Sequence, residues 1–359
     1  MSKNSLEEVI FGEPVSAESS GEHIKNIHRK KLGKEYLVKR IKPNISDYNN
    51  LIEFPSHFEI ETINACNARC PMCTIDDWNK DEKMMKDSLF EKISIELKEN
   101  KKYLKRVNLY RDGEPLLDKK LPERINLLRS LGIPNISIST NVSLLTTSVA
   151  EKILSAGINM VTLSIDSLNK DIYESIRRGL NFEIVLENAK NFLNVRNKMN
   201  SNCEVWIRMI RQESNKYEFE KYKEYWESTG LINPTLDRIY YHNIFDWGGQ
   251  LKSFNGISKN TEMLLPCVSL WSLMPIFANG DVPMCNIDYG CNHKIGNIFN
   301  NSIKEVWNSN EMKLIRNNHL NARKNKISMC KNCNVWEEVK QRDGAKTVSE
   351  EYLPILSKA

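Results

Sequence analysis

From residue 56 onward, short apolar runs alternate with longer stretches whose apolar positions recur at helical spacing, and turn residues separate the two. The runs at residues 58–63, 107–110, 136–139, 161–165, 205–210 and, least pronounced, 236–241 predict strands. The stretches at residues 88–99, 121–131, 148–156, 184–194 and 217–228 predict helices. This alternation implies an α/β fold of parallel strands joined by right-handed crossovers. In barrels and open parallel sheets alike, reactive groups gather at the carboxyl ends of the strands. The residues just after each run are therefore where chemistry is expected.

After the first run come Cys66, Cys70 and Cys73, in a C-x3-C-x2-C spacing. Three thiolates this close turn toward one point only from a compact loop, and soft sulfur ligands select iron-sulfur clusters or zinc. A four-iron cubane normally takes four cysteines. With three, one iron keeps an open position, as catalytic metal sites do. Zinc would require a fourth ligand close by, and the nearest histidine, His57, is on the preceding predicted strand.

Composition narrows the class. A chain of 359 residues, 40% hydrophobic, is long enough for a large core and two domains. No run of eighteen apolar residues occurs, and the first residues lack the basic-then-apolar order of a secretory signal, so a cytoplasmic protein with no membrane partner is expected. Nine cysteines, an odd number, suit a reducing compartment where thiols serve metals. A net charge of +5, from 51 basic and 46 acidic residues, is too weak a bias to imply nucleic acid. Residues 24–42 are denser in basic side chains, which suits an acidic partner, a phosphate-bearing substrate or simply a solvated helix face.

The cysteine spacing, directly after an apolar-polar alternating run, resembles the radical S-adenosylmethionine (SAM) superfamily. The resemblance implies a partial (β/α)6 TIM-like barrel over residues 56–250, preceded by an extension at residues 1–55. It implies a 4Fe-4S cluster on Cys66, Cys70 and Cys73 whose open iron binds the amino and carboxylate groups of SAM. That cluster, reduced by a flavodoxin- or ferredoxin-type donor, cleaves SAM to a 5′-deoxyadenosyl radical that abstracts hydrogen from a substrate. The run Arg111-Asp112-Gly113-Glu114-Pro115 is similar to the family's Gly-Gly-Glu-Pro motif, which assigns Gly113, Glu114 and Pro115 to the amino end of SAM. Asp112 stands where the motif has its first glycine, which leaves the backbone path open; an ordinary Gly-Pro turn is the alternative. Ser139, Asn141, Ser164 and Asp166 are implied to face the ribose and methionine end, with helix capping as the alternative. A guanidinium can grip a carboxylate bidentately, which makes one of Arg177 and Arg208 a candidate for the methionyl carboxylate, with surface ion pairing as the alternative. Met72 matches the apolar position near adenine, and a core methionine is an equal account.

A second set, Cys267, Cys285, Cys330 and Cys333, lies beyond the break at Trp247-Gly248-Gly249. Asn279-Gly280-Asp281-Val282 predicts a tight turn that brings Cys267 and Cys285 together. A helix through Ile303, Val306, Trp307 and Met312 returns the Cys330/Cys333 pair to them. Four thiolates close a cluster or a zinc ribbon. The arrangement is similar to SPASM and twitch domains, implying an auxiliary domain over residues 262–340 and a tail at residues 341–359. No C-x5-C-x3-C run follows Cys333, so one auxiliary 4Fe-4S cluster is expected. Cys203 is expected to be a buried apolar residue. Cys291 is a substitute ligand, a thiol that returns a hydrogen atom to a substrate radical, or a spectator.

A substrate radical either loses an electron and a proton, which is oxidation, or regains hydrogen from the opposite face, which is epimerisation. Residues 1–50 are short for a peptide-recognition domain, which favours a small polar substrate such as a sugar, aminocyclitol or nucleotide sugar over a ribosomally made peptide. A non-catalytic iron-sulfur or zinc protein is the alternative of another class.

Overall fold

The computed structural model describes residues 20–41, 47–77, 83–244, 247, 248, 250, 265–331 and 333. Residues 1–19 of the extension and the tail at residues 341–359 lie outside the described residues.

The six expected strands form: β1 (His57–Ile60), β2 (Arg106–Asn108), β3 (Ile136–Thr140), β4 (Met160–Ser164), β5 (Glu204–Arg211) and β6 (Arg238–Asn243). They pair in parallel, each with its neighbour in sequence, in an open sheet. Every residue of β3 and β4 is buried, as parallel strands covered on both faces require. The helix Phe182–Lys198 shows how the covering layer is specified. Asn181 caps it by accepting from the Ile184 N–H at 2.9 Å, and Val185, Ala189, Phe192 and Leu193 form the buried stripe. At its last turn Arg196 forks onto Asp237, with Nη1 donating to Oδ1 at 2.8 Å and Nη2 to Oδ2 at 2.6 Å. Asp237 Oδ1 also accepts from the Val205 N–H at 3.0 Å, which fastens the start of β6, the least pronounced predicted strand, beside β5.

The sheet differs from the six-unit expectation by one strand. β7 (Leu273–Ile276), from the region assigned to the auxiliary domain, pairs in parallel with β1 in the register Phe58↔Met274 and Ile60↔Ile276. Its Pro275 is tolerated because β7 is an edge. β1 also ends at Ile60 rather than at residue 63. The Glu61 N–H still bonds Ile276 O at 2.9 Å, but the Glu61 carboxylate accepts from the Ala278 N–H at 3.1 Å and the chain leaves the sheet there.

The described part of the extension is the helices Ser20–Ile41 and Tyr48–Glu53. Leu32, Tyr36, Leu37 and Ile41 are buried, Gly33 packs against Leu320 and Pro266, and Trp271 Nε1 donates to the Tyr48 hydroxyl at 3.0 Å. The basic side chains Lys31, Lys34 and Lys39 are exposed. Beyond β7, the hairpin β8 (Asp281–Pro283) and β9 (Lys294–Asn297) is followed by the helices Ile303–Trp307 and Asn310–Leu320. The turn into β8 places Gly280 at φ +82°, a conformation that suits glycine. No helix among the described residues is long and apolar enough to cross a membrane.

Candidate active site

The cysteine loop leaves the carboxyl end of β1 and is held by main-chain bonds on both sides. Asn64 N–H donates to Lys83 O at 2.8 Å, Arg69 N–H to Arg178 O at 2.8 Å, and Cys73 N–H to Cys70 O at 2.9 Å. Arg69 Nη1 reaches back to the carbonyls of Cys66 and Ala68, both at 2.9 Å. The three thiols line one cleft of about 330 Å³. Polar donors already face them. Ala68 N–H is 3.4 Å from the Cys66 sulfur, Asn141 Nδ2 3.8 Å from the same atom, and Arg177 Nη1 3.7 Å from the Cys70 sulfur. Burial pushes the Cys66 thiol up, and burial with the neighbouring Cys70 pushes Cys73 up to about 12. A metal that binds thiolate displaces those protons.

Gly113 settles the backbone path that Asp112 left open. A Cβ there would stand 2.4 Å from Ile63 O and 2.7 Å from Ala65 O, so the motif presses directly on the cysteine loop. The next N–H, of Glu114, donates to Ala65 O at 2.8 Å. The Glu114 side chain is buried and turned away from solvent: Oε1 accepts from Thr140 Oγ1 at 2.6 Å and Leu116 N–H at 3.1 Å, and Oε2 from Asn141 N–H at 2.7 Å. Burial raises its pKa in spite of these donors.

Arg177 and Arg208 are not surface ion pairs. Both line the cleft. Arg177 Nε donates to Asp166 Oδ2 at 2.7 Å, and its Nη2 is buried without a partner. Arg208 Nη2 donates to Ser164 Oγ at 2.6 Å and Ser139 Oγ at 3.2 Å, and its Nε is likewise unmatched. Two orphaned guanidinium donors beside three thiols suit an anionic occupant, which a thiolate-bound cluster and a carboxylate both are. Met72 lines the cleft as well. Asp166 does not; its carboxylate is fully buried behind Arg177, where Oδ1 also accepts from the Ile210 N–H at 2.8 Å. Pro115 opens the short helix Pro115–Leu117 and lies off the cleft.

Several lining residues were not among the expected site residues: Glu59, Tyr110, Arg111, Asp112, His242 and Trp247. Glu59, Tyr110 and His242 belong to or directly follow strands, and the rule that chemistry gathers at carboxyl ends would have singled them out. Tyr110 is pushed up to about 12 by burial and then by Glu59. Trp247 Nε1 donates to Met72 O at 3.0 Å, closing the wall from the far side.

Cys267, Cys285, Cys330 and Cys333 line a second, smaller cavity with His319, and Ser269, Asn286 and Ile287 line both cavities. Cys267 N–H donates to His319 Nδ1 at 3.4 Å, and burial pulls this histidine down to about 3, so it is neutral. Burial pushes up the thiols of Cys267, Cys285 and Cys330. Among the described residues no three His, Cys, Asp or Glu side chains converge on one metal-ion position. Cys203 is buried, and Cys291, at φ +54°, lines neither cavity.

The radical SAM superfamily model matches residues 60–209 and the SPASM iron-sulfur cluster-binding domain model matches residues 267–334. The chain therefore carries a radical SAM domain and a C-terminal SPASM domain, which together imply a 4Fe-4S cluster, SAM and auxiliary iron-sulfur. Its relatives include a probable GTP 3',8-cyclase of Methanocaldococcus jannaschii, 28% identical over 204 residues that cover 54% of this chain and 65% of that protein, slightly under two thirds of its length. Among solved structures, BtrN in complex with AdoMet and 2-DOIA is similar with TM-score 0.54 and 19% identity over 78% of this chain and 93% of that one. Streptococcus suis SuiB bound to the precursor peptide SuiA is similar with TM-score 0.58 and 16% identity over 93% of this chain and 79% of that one. At these identities the two structures show the fold alone.

Proposed function

We propose that the protein is a cytoplasmic radical SAM oxidoreductase that abstracts hydrogen from a small polar substrate, a sugar, aminocyclitol or nucleotide sugar. The observation that carries this reading is the shared cleft: the thiols of Cys66, Cys70 and Cys73 open onto the same space as Glu59, Tyr110 and His242. The lining of carboxylate, phenol, imidazole and indole suits hydroxyl and amine groups.

The cluster and SAM, when bound, supply the radical; the chain supplies position. Cys66, Cys70 and Cys73 hold the first cluster. The backbone at Gly113 meets the amino end of SAM, and Glu114 holds that turn by accepting from Thr140 and Asn141. Arg177 and Arg208 offer their unmatched donors to the methionyl carboxylate, Ser139, Asn141 and Ser164 serve the ribose, and Met72 packs near adenine. Cys267, Cys285, Cys330 and Cys333 hold one auxiliary cluster. Oxidation is favoured over epimerisation because Cys291 lines neither cavity. The domain limits of this reading are an extension at residues 1–55, a core at 56–250, an auxiliary domain at 262–340 that lends β7 to the core sheet, and a tail at 341–359. The electron donor is of flavodoxin or ferredoxin type.

A ribosomally made peptide is the second reading. It is favoured by β6, an edge of the sheet with Arg238 and Tyr241 exposed, to which an extended peptide can add. Anaerobic turnover with SAM and dithionite in deuterated water separates the readings. Loss of two hydrogens from a sugar or aminocyclitol marks oxidation, and deuterium uptake alone marks epimerisation. A mass change confined to peptide substrates sinks the small-molecule reading, and failure to form 5′-deoxyadenosine sinks the enzyme.

A further inference from the structure

Arg111 and Asp112 have no role in the assignments above, and Asp112 occupies a position where the resembled motif has glycine. Their side chains are 1% and 2% exposed and form an ion pair. The pair has a direction. Asp112 lines the first cavity together with Cys73, and it is anchored there by Gly113, which is pressed against the carbonyls of Ile63 and Ala65. Arg111 lines the same cavity but reaches on to the loop after Cys285. Its Nη2 donates to the carbonyls of Asn286 at 3.0 Å and Asp288 at 3.3 Å, and its guanidinium stacks over Phe277 at 4.2 Å from the ring centroid. Asn286 follows Cys285 in the chain and lines both cavities. The negative end thus lies toward the cysteine loop and the positive end against the loop that carries an auxiliary thiol.

Buried charges are poorly screened, and iron-sulfur potentials respond to local charge and hydrogen bonding. A carboxylate beside a cluster makes adding an electron harder; a guanidinium makes it easier. We propose that Arg111 and Asp112 form a potential-setting pair between the two metal sites. It lowers the reduction potential of the cluster on Cys66, Cys70 and Cys73 relative to that of the cluster on Cys267, Cys285, Cys330 and Cys333, so that a single electron shared between them rests on the second. The inference rests on the two-cluster reading and is independent of the substrate.

A strut that only held the two loops together would respond alike to the loss of either partner. A potential-setting pair responds with opposite signs. The test is a redox titration followed by electron paramagnetic resonance on the anaerobically reconstituted full-length protein. A Cys66→Ala, Cys70→Ala, Cys73→Ala background isolates the second cluster. Arg111→Gln is expected to lower the second cluster's potential, Asp112→Asn to raise the first cluster's, and Arg111→Lys to stay near the parent. Shifts of the same sign, or potentials indifferent to both substitutions at full iron content, overturn the proposal. If Arg111→Gln loses its second cluster, Asp112→Asn decides, and an unmoved first-cluster potential overturns the proposal. A parent protein with iron for one cluster only overturns the two-cluster reading along with it.

Discussion

Arg177 Nε donates to Asp166 Oδ2 at 2.7 Å, and that bond sets which way a buried guanidinium faces at the cysteine loop. Burial alone would lower the pKa of Arg177, but Asp166 and Cys70 outweigh it and hold the pKa above its usual value. Asp166→Asn leaves the guanidinium buried without its counter-charge. Removing one partner of a buried pair costs about 3–5 kcal/mol. Denaturant unfolding is expected to register a loss of that size, and equilibrium dialysis a weaker grip on SAM. Unchanged stability would show that the pair is not the hold described.

Gly113→Ala tests the contact between motif and loop. The added methyl meets two carbonyls, Ile63 O at 2.4 Å and Ala65 O at 2.7 Å, and neither is the end of a flexible side chain. The motif must retreat from Cys66. The expected outcome is loss of SAM cleavage to 5′-deoxyadenosine, while the iron held by the C-terminal cysteines stays in place. Cleavage at the parent rate would mean that the close approach is not needed.

The two cavities are lined by separate cysteine sets, so the two metal contents are expected to separate. Cys330→Ala is expected to remove one cluster's iron and leave cleavage of SAM without substrate in place, whereas Cys70→Ala abolishes cleavage and retains the other cluster. Iron assay with deoxyadenosine quantification checks both. Loss of cleavage in Cys330→Ala at retained first-cluster iron would contradict the separation.

His57 opens β1 with its Nδ1 2.9 Å from Ser56 Oγ, and burial, then Lys105 and Arg106, pulls it from 6.5 down to about 4. The folded state therefore binds fewer protons than the unfolded state between those values. Its contribution is whole above about pH 6.5 and is lost as pH falls toward 4, at most about 3 kcal/mol. His57→Gln is expected to flatten the decline in unfolding free energy between pH 7 and pH 4.5. An undiminished slope would assign the acid loss to other groups.

Much of this was legible from periodicity. The strands β1 to β6 and the helices between them show their 2.0 and 3.6 spacings within single segments, and the three clustered cysteines mark their chemistry by proximity in sequence. What was hidden lies in long-range pairing. β7 is four residues with a proline inside, too short for any pattern to assert itself, and it becomes a strand only because β1 offers an edge. Arg111 reads as one more charge in the motif-like run; its bond to the carbonyl of Asn286, 175 positions away, leaves no mark in the sequence. Asp166 reads as a cleft residue from its place after β4, yet its carboxylate is consumed by Arg177 and the Ile210 N–H.

The seat of β7 bears on how the protein is made. β1, which delivers the three thiols, is flanked on one side by β2 and on the other by a strand that leaves the ribosome more than two hundred residues later. A nascent chain released before Leu273 carries Phe58 and Ile60 on an unpaired edge, open to pairing with other chains. The strand that carries the cysteine loop thus gains its second neighbour only from the C-terminal part of the polypeptide. Iron delivered during synthesis would reach a loop whose supporting strand has only one neighbour.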